Sequence, residues 1–145
     1  LSRRLLMFRV GEARDADLIL VDIAAHVPEN LPVLSAMRQQ AFVAEGMLRS
    51  GRLEWFGRML HEAWGLKKRL STLIATPEVD AMYKAAREAG AVGGKLCGAG
   101  GGGFLLLYVP EDAQERVRSA LAGLKELVFN FWPTGAETVW KAPTW

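Results

Sequence analysis

The residues best placed to do chemistry lie between Gly93 and Val109, GGKLCGAGGGGFLLLYV, where four consecutive glycines run from Gly100 to Gly103. Glycine loses more conformational freedom on folding than any other residue, so this density suits backbone that must take φ > 0 or approach a ligand closely. Successive exposed amides in such a loop form a nest that cradles an anion such as phosphate. The candidate site is therefore the backbone of Gly98, Ala99, Gly100, Gly101 and Gly102. Lys95-Leu96-Cys97 before the loop and Phe104 to Val109 after it both read as strand, so the glycines join two strands. Two familiar motifs fail on that context. Gly98, Gly100 and Gly103 fit G-x-G-x-x-G, but a dinucleotide site needs a helix beginning at Phe104 to hold the pyrophosphate. A Walker A loop ending at Lys95 needs glycine at Ala89 and Ser or Thr at Leu96.

The remaining chemical side chains carry weaker patterns. Lys95 either points its ammonium toward a phosphoryl group or is an outward side chain on a short strand. Cys97 reads as a buried small hydrophobe, with no histidine or cation adjacent in sequence to lower its pKa. His61-Glu62 opens like H-E-x-x-H, but Gly65 takes the second histidine position and excludes a zincin site. His26 has no Cys, second His or carboxylate at metal spacing and reads as a helix-end histidine. Neither a metal site nor a catalytic side chain is expected within these residues.

The elements that position the loop follow from spacing. Leu5 to Val10 reads as a short strand turned by Gly11, and a helix runs from Asp15 to about Ala25 until Pro28-Glu29-Asn30-Leu31-Pro32 breaks it. Leu34, Met37, Ala41, Ala44 and Leu48 then recur at spacings of three and four on one helix face, and Gly51 stops that helix. A second long helix carries Leu53, Phe56, Leu60, Ala63 and Leu70 on its buried stripe and Lys67, Lys68 and Arg69 on its other face. Thr76-Pro77-Glu78 is a strong helix start, with a capping hydroxyl, proline at the first helical position and an acid in the first turn. Val79, Met82, Tyr83 and Ala86 are its buried stripe, and the helix is a rigid arm delivering the glycine loop. After Pro110 a further helix buries Val117, Leu121 and Leu124. Leu127 to Trp132 reads as a strand, and Thr138-Val139-Trp140 as a short last one. Antiparallel strands with helices on one side give an α+β two-layer sandwich.

At 145 residues the chain is one domain in size, half hydrophobic, with a net charge of +2 spread along its length. That composition gives no argument for nucleic acid. No apolar run approaches the roughly 18 residues of a membrane span, and the opening LSRRLLMF is too short for a signal peptide. A single cysteine cannot form an internal disulfide, which suits a reducing cytoplasm.

The stretch GGKLCGAGGGGF resembles the third conserved motif of the GHMP kinase superfamily. The longer run from Leu60 to Phe104 is most similar to the branch of D-glycero-D-manno-heptose 7-phosphate kinases and fucokinase-like sugar kinases. The resemblance implies a ferredoxin-like C-terminal domain with extra helices, facing the cleft where ATP and the sugar meet. It implies that residues 1–145 are a fragment without the N-terminal ATP-binding domain, whose glycine/serine loop and catalytic aspartate have no counterpart here. The whole protein is then expected to be a cytoplasmic, ATP- and Mg2+-dependent sugar kinase, and these residues alone inactive. His61 and Trp64 match the family's H-E-A-W sequence, which implies packing beneath the glycine loop. Gly11 and Arg14 match the family's Y-T-G-x-x-R, with Arg9 and Val10 replacing its tyrosine and threonine. Arg14 is either a bidentate contact to a substrate phosphate or carboxylate, or a solvated arginine at a helix start. The competing expectation is a non-catalytic ligand-binding or interaction domain.

Overall fold

A computed structural model describes residues 1–11, 16–131 and 135. Strand β1 is Leu5–Val10, followed by helices α1 (Ala16–Ala25), α2 (Val27–Arg49), α3 (Leu53–Lys68) and α4 (Pro77–Glu88). Strands β2 (Gly93–Cys97) and β3 (Gly103–Tyr108) flank the glycine loop, and α5 (Gln114–Ala120) follows a short 3-10 turn. The three strands form one antiparallel sheet in the order β1-β3-β2, with Phe8 opposite Leu105 and Leu96 opposite the same residue from the other side. Strand alternation then decides the layers. Leu6, Phe8, Val10, Leu96, Leu105 and Leu107 all point to one face, where Val79, Tyr83, Ala86, Val117 and Leu121 of the helices complete a single core. On the other face a smaller cluster of Leu5, Tyr108 and Leu60 forms at one end of the sheet.

The prolines behave differently from the sequence expectation. The break falls at His26, where α1 and α2 meet at 103°, and Pro28 and Pro32 both lie inside α2. Pro28 occupies the first turn, where a backbone N–H has no helical partner to lose, and Pro32 deprives only a first-turn carbonyl. Asn30 is buried at this elbow and its Nδ2 donates to the Leu70 carbonyl at 3.0 Å, tying α2 to the end of α3. The described part of the expected strand, Leu127 to Phe131, also departs from expectation, and Trp132 lies outside the described residues. Only Glu126 bridges β1, opposite Phe8, flanked by Arg9 N to Lys125 O at 2.9 Å and Leu127 N to Met7 O at 2.8 Å. Beyond that single bridge the segment is no strand, and Phe129 packs on the Leu5–Tyr108 cluster. The Thr138–Trp140 strand lies outside the described residues. No single described helix is long and apolar enough to cross a membrane.

Helix α3 meets β2 with no side chains between them. A Cβ on Gly93 would stand 2.0 Å from the Gly57 carbonyl oxygen, and one on Gly57 would stand 2.5 Å from the Tyr108 ring. Two glycines on different elements therefore set the helix-to-strand distance.

Candidate functional site

The glycine loop is held from three sides. Helix α4 starts where the sequence places it, with Thr76 Oγ1 accepting from Val79 N at 3.2 Å. The turn just before that cap carries Ile74, fully buried, whose carbonyl accepts the Gly101 N–H at 2.8 Å. Gly100, at φ 142°, lies against the same residue, and a Cβ there would come within 2.7 Å of the Ile74 Cα. Gly11, where β1 ends, backs the loop from the second side: a Cβ on it would lie 3.5 Å from the Gly102 Cα. Arg14, three residues on, lies outside the described residues.

The third support is Lys67, which reaches β2 and the loop instead of lying on the other, solvated face of α3 that the sequence suggests. Lys67 continues the seven-residue spacing of Leu53 and Leu60, so it falls on the buried stripe and not on a solvated basic face. That spacing was the signal available in the sequence. Its Nζ donates to the Leu96 carbonyl at 3.2 Å and to the Gly98 carbonyl at 2.5 Å. Alternate residues of an antiparallel strand bond across to the neighbour while the others turn their backbone groups outward, and on the edge strand β2 the Leu96 carbonyl that Lys67 reaches faces that open edge. Lys67 closes that edge at Leu96. Tyr83 of α4 lies near the same strand at Gly94, whose backbone N–H favours the ionised form of its hydroxyl. An unpaired strand edge is a template for unwanted pairing, and both helices cover it here.

Electrostatics match this geometry. Burial lowers the Lys67 pKa, with repulsion from Lys95 adding to it. Burial pushes the Tyr83 hydroxyl up to about 12, so it stays protonated. His61 stacks on Tyr83 with ring planes 8° apart and its Nδ1 stands 2.7 Å from the Tyr83 oxygen. Burial lowers the His61 pKa, as does Arg87. A neutral imidazole accepting the tyrosine proton at Nδ1 carries its own proton on Nε2. His61 is thus a partner of the α3–α4 contact, in line with packing below the loop.

Among the five backbone positions the sequence nominates, the structure separates roles. Gly100 and Gly101 are buried against Ile74, and the Gly101 amide is engaged there. Gly98 is exposed, and Ala99 and Gly102 are half-buried. Because a trans peptide points its C=O and N–H in opposite directions, fixing the Gly98 carbonyl on Lys67 turns the Ala99 N–H away from it. Lys95 lies on the sheet face away from Leu96 and is half-exposed, as strand alternation requires. Cys97 shares that face and is half-exposed, so it is no part of the core. The strand from Gly103 removes the nicotinamide reading, which needs a helix there.

The sheet and its glycine hairpin define the class first: this is the α+β fold of kinase C-terminal domains. It superposes on Streptococcus pneumoniae phosphomevalonate kinase, solved with phosphomevalonate and AMPPNP, with a TM-score of 0.70 at 20% identity over 87% of this chain and 38% of that one. The mevalonate kinase of L. major, solved with R-mevalonate, gives 0.69 at 18% identity over 82% and 38%. The chain belongs to the GHMP kinase family, matching the model of the GHMP kinases C terminal over residues 41–125. It is 28% identical to D-glycero-alpha-D-manno-heptose 7-phosphate kinase of Campylobacter jejuni over 71% of this chain. Identity is 32% to the L-fucokinase/L-fucose-1-P guanylyltransferase of Bacteroides fragilis over 78%, and 34% to mevalonate kinase of Thermococcus gammatolerans over 58%. These stretches span 30%, 12% and 26% of the relatives' own lengths.

Proposed function

We propose that this chain is the C-terminal, substrate-side part of an ATP-dependent small-molecule kinase whose acceptor is a sugar or sugar phosphate of the heptose 7-phosphate or fucose type. The observation that carries the reading is the glycine loop fixed by Ile74, Gly11 and Lys67, with its flanks at Gly98, Ala99 and Gly102 open to a ligand. Phosphoryl transfer depends mainly on positioning and charge stabilisation, so a domain that holds amides rigidly near a phosphate oxygen contributes without supplying a base. Bound ATP supplies the phosphoryl group. The loop amides fit a phosphate oxygen, and Arg14 is the proposed additional contact to an acceptor phosphate or carboxylate. Among the described residues no three His, Cys, Asp or Glu side chains gather around one point, so those residues offer magnesium no ready-made cage of side chains. The metal, the ATP-binding loop and the base then belong to an N-terminal domain on the same cytoplasmic polypeptide.

The test is ATP turnover by the 145-residue chain beside the longer reading frame that encodes it, with heptose 7-phosphate, fucose and mevalonate as acceptors. Turnover by the longer polypeptide with either sugar, and none by the shorter, is the expected result. Sugar-dependent turnover by the 145 residues alone would show that the catalytic machinery is misplaced, and mevalonate as the sole acceptor would overturn the sugar assignment.

A further inference from the structure

Strand alternation sends Met7 and Arg9 of β1, Phe104 and Leu106 of β3, and Lys95 and Cys97 of β2 to the sheet face away from the main core, because Phe8, Leu105 and Leu96 point into that core. The register fixes their neighbours: Phe104 stands between Arg9 on one side and Cys97 on the other. Beyond β1, Arg9 N donates to Lys125 O and Leu127 N to Met7 O, so Lys125 and Leu127 share this face beside Arg9 and Met7. One end of the face is covered, where Leu53, Phe56 and Leu60 of α3 and Phe129 pack with Leu5 and Tyr108. At the other end, next to the glycine loop, the Phe104 side chain stays 39% exposed in the middle strand of the sheet.

That ring borders a cavity of about 140 Å³, lined by Arg9, Phe104, Lys125 and Leu127. Phe104 and Leu127 give it apolar walls, whereas Arg9 and Lys125 bring two cations, and Lys95 adds a third on the same face. No described carboxylate stands within 4.0 Å of any of the three. Like charges gathered on one face repel, and an anion bound among them relieves that repulsion. Arg9 also stands where the family's Y-T-G-x-x-R has tyrosine, so its guanidinium is a feature of this chain and not of that motif. Among the described residues the cations that lie over aromatic rings are Arg58 on Trp55 and Lys68 on Trp64, so no guanidinium or ammonium caps Phe104. The ring face is left to a ligand, and a cavity of about 150 Å³ takes one benzene ring.

From this geometry we infer that the outer sheet face carries a binding site for a single flat ring bearing an anionic group, the ring against Phe104 and Leu127 and the phosphate or carboxylate on Arg9 and Lys125. A guanidinium grips either anion in a bidentate fork, and an aromatic ring gains from stacking on another. None of the four lining residues belongs to the Gly98–Gly102 backbone, so the site does not rest on the kinase reading. Aryl phosphates, aryl carboxylates and pyrimidine nucleotides share this chemistry. Titration of the 145-residue chain with phenyl phosphate, benzoate and uridine 5′-monophosphate, followed by NMR, separates them. At least one saturates, with amide shifts at residues 9, 104, 125 and 127, while inorganic phosphate, which lacks the ring, and phenol, which lacks the charge, bind at least about tenfold more weakly. Arg9→Gln and Lys125→Gln each weaken the ring anion about tenfold, the loss of one charge-assisted contact. Phe104→Thr, which keeps a strand-forming residue, removes the advantage of the ring anion over inorganic phosphate. All three side chains are exposed, so the variants keep the fold. Saturation by none of the three ring anions, inorganic phosphate binding as tightly as the best of them, unchanged affinity in all three variants, or shifts confined to residues 98–102 would overturn the proposal.

Discussion

Replacing Lys67 by methionine keeps the length and apolar stem of the side chain while removing both bonds from its ammonium, to Leu96 O and Gly98 O. Bonds that involve a charged group contribute roughly 1.5–3 kcal/mol each. The two ends differ in what they lose. Gly98 is exposed and water replaces the ammonium on its carbonyl, so that bond is largely recovered. Leu96 is fully buried, and a buried carbonyl left without a donor costs about 1–3 kcal/mol. Against this, the variant no longer holds a half-buried cation beside Lys95, whose repulsion is relieved. The net expectation is a loss of about 2 kcal/mol, which lowers Tm by about 4–8 °C for a chain of this size. The damage is also local. With its near end released, the loop opens more often, so amide exchange at Ala99 and Gly100 accelerates more than tenfold relative to the α5 core. Lys67→Arg, which keeps donors at the edge, lies between the two. Thermal unfolding and exchange measured by NMR on the same samples check both parts. A methionine variant as stable as the parent, with unchanged exchange at those amides, would refute the view that Lys67 positions the loop.

Glycine substitutions separate strain from collision. Gly98→Ala meets open space but must hold φ 81°, so it costs about 1–2 kcal/mol. Gly100→Ala adds a collision with the Ile74 backbone and loses about 3 kcal/mol or more in denaturant unfolding. Gly93→Ala pushes α3 from the sheet and lowers stability by a similar amount, with the signal of Trp64 changing as its packing loosens. The two histidines titrate on opposite sides of the usual value near 6.5: His26 above it, because the Asp22 carbonyl and carboxylate favour its charged form, and His61 below it. The His26 contribution to stability is therefore present below the unfolded value and lost as pH rises through the folded one. That of His61 is present above the unfolded value and lost as pH falls through the folded one. NMR titration of the two imidazoles reads this directly, and Tyr83→Phe moves His61 back toward 6.5 by removing the hydrogen bond to its neutral form.

The sequence by itself determined the elements whose signals are local. Thr76-Pro77-Glu78 fixes the start of α4 because capping depends on three neighbouring residues, and the glycine run between two apolar strands excludes a dinucleotide helix without any knowledge of the fold. The resemblance from Leu60 to Phe104 reached the family because it lies inside the matched region, residues 41–125. Tertiary structure decided what depends on distant partners. Prolines 28 and 32 look like a helix break, yet Pro28 sits in the first turn of α2 and Pro32 costs only a bond to a first-turn carbonyl, and the Asn30 tether to Leu70 holds the elbow. Lys67 looks like one of three solvated basic residues until β2 places the Leu96 and Gly98 carbonyls under its ammonium. Which loop amide remains open was equally undecided until the Ile74 carbonyl took the Gly101 N–H. Hydrogen bonds between residues 27 to 40 positions apart leave no periodic trace in the chain. They appear when the sheet and helices bring the groups within about 3 Å of one another.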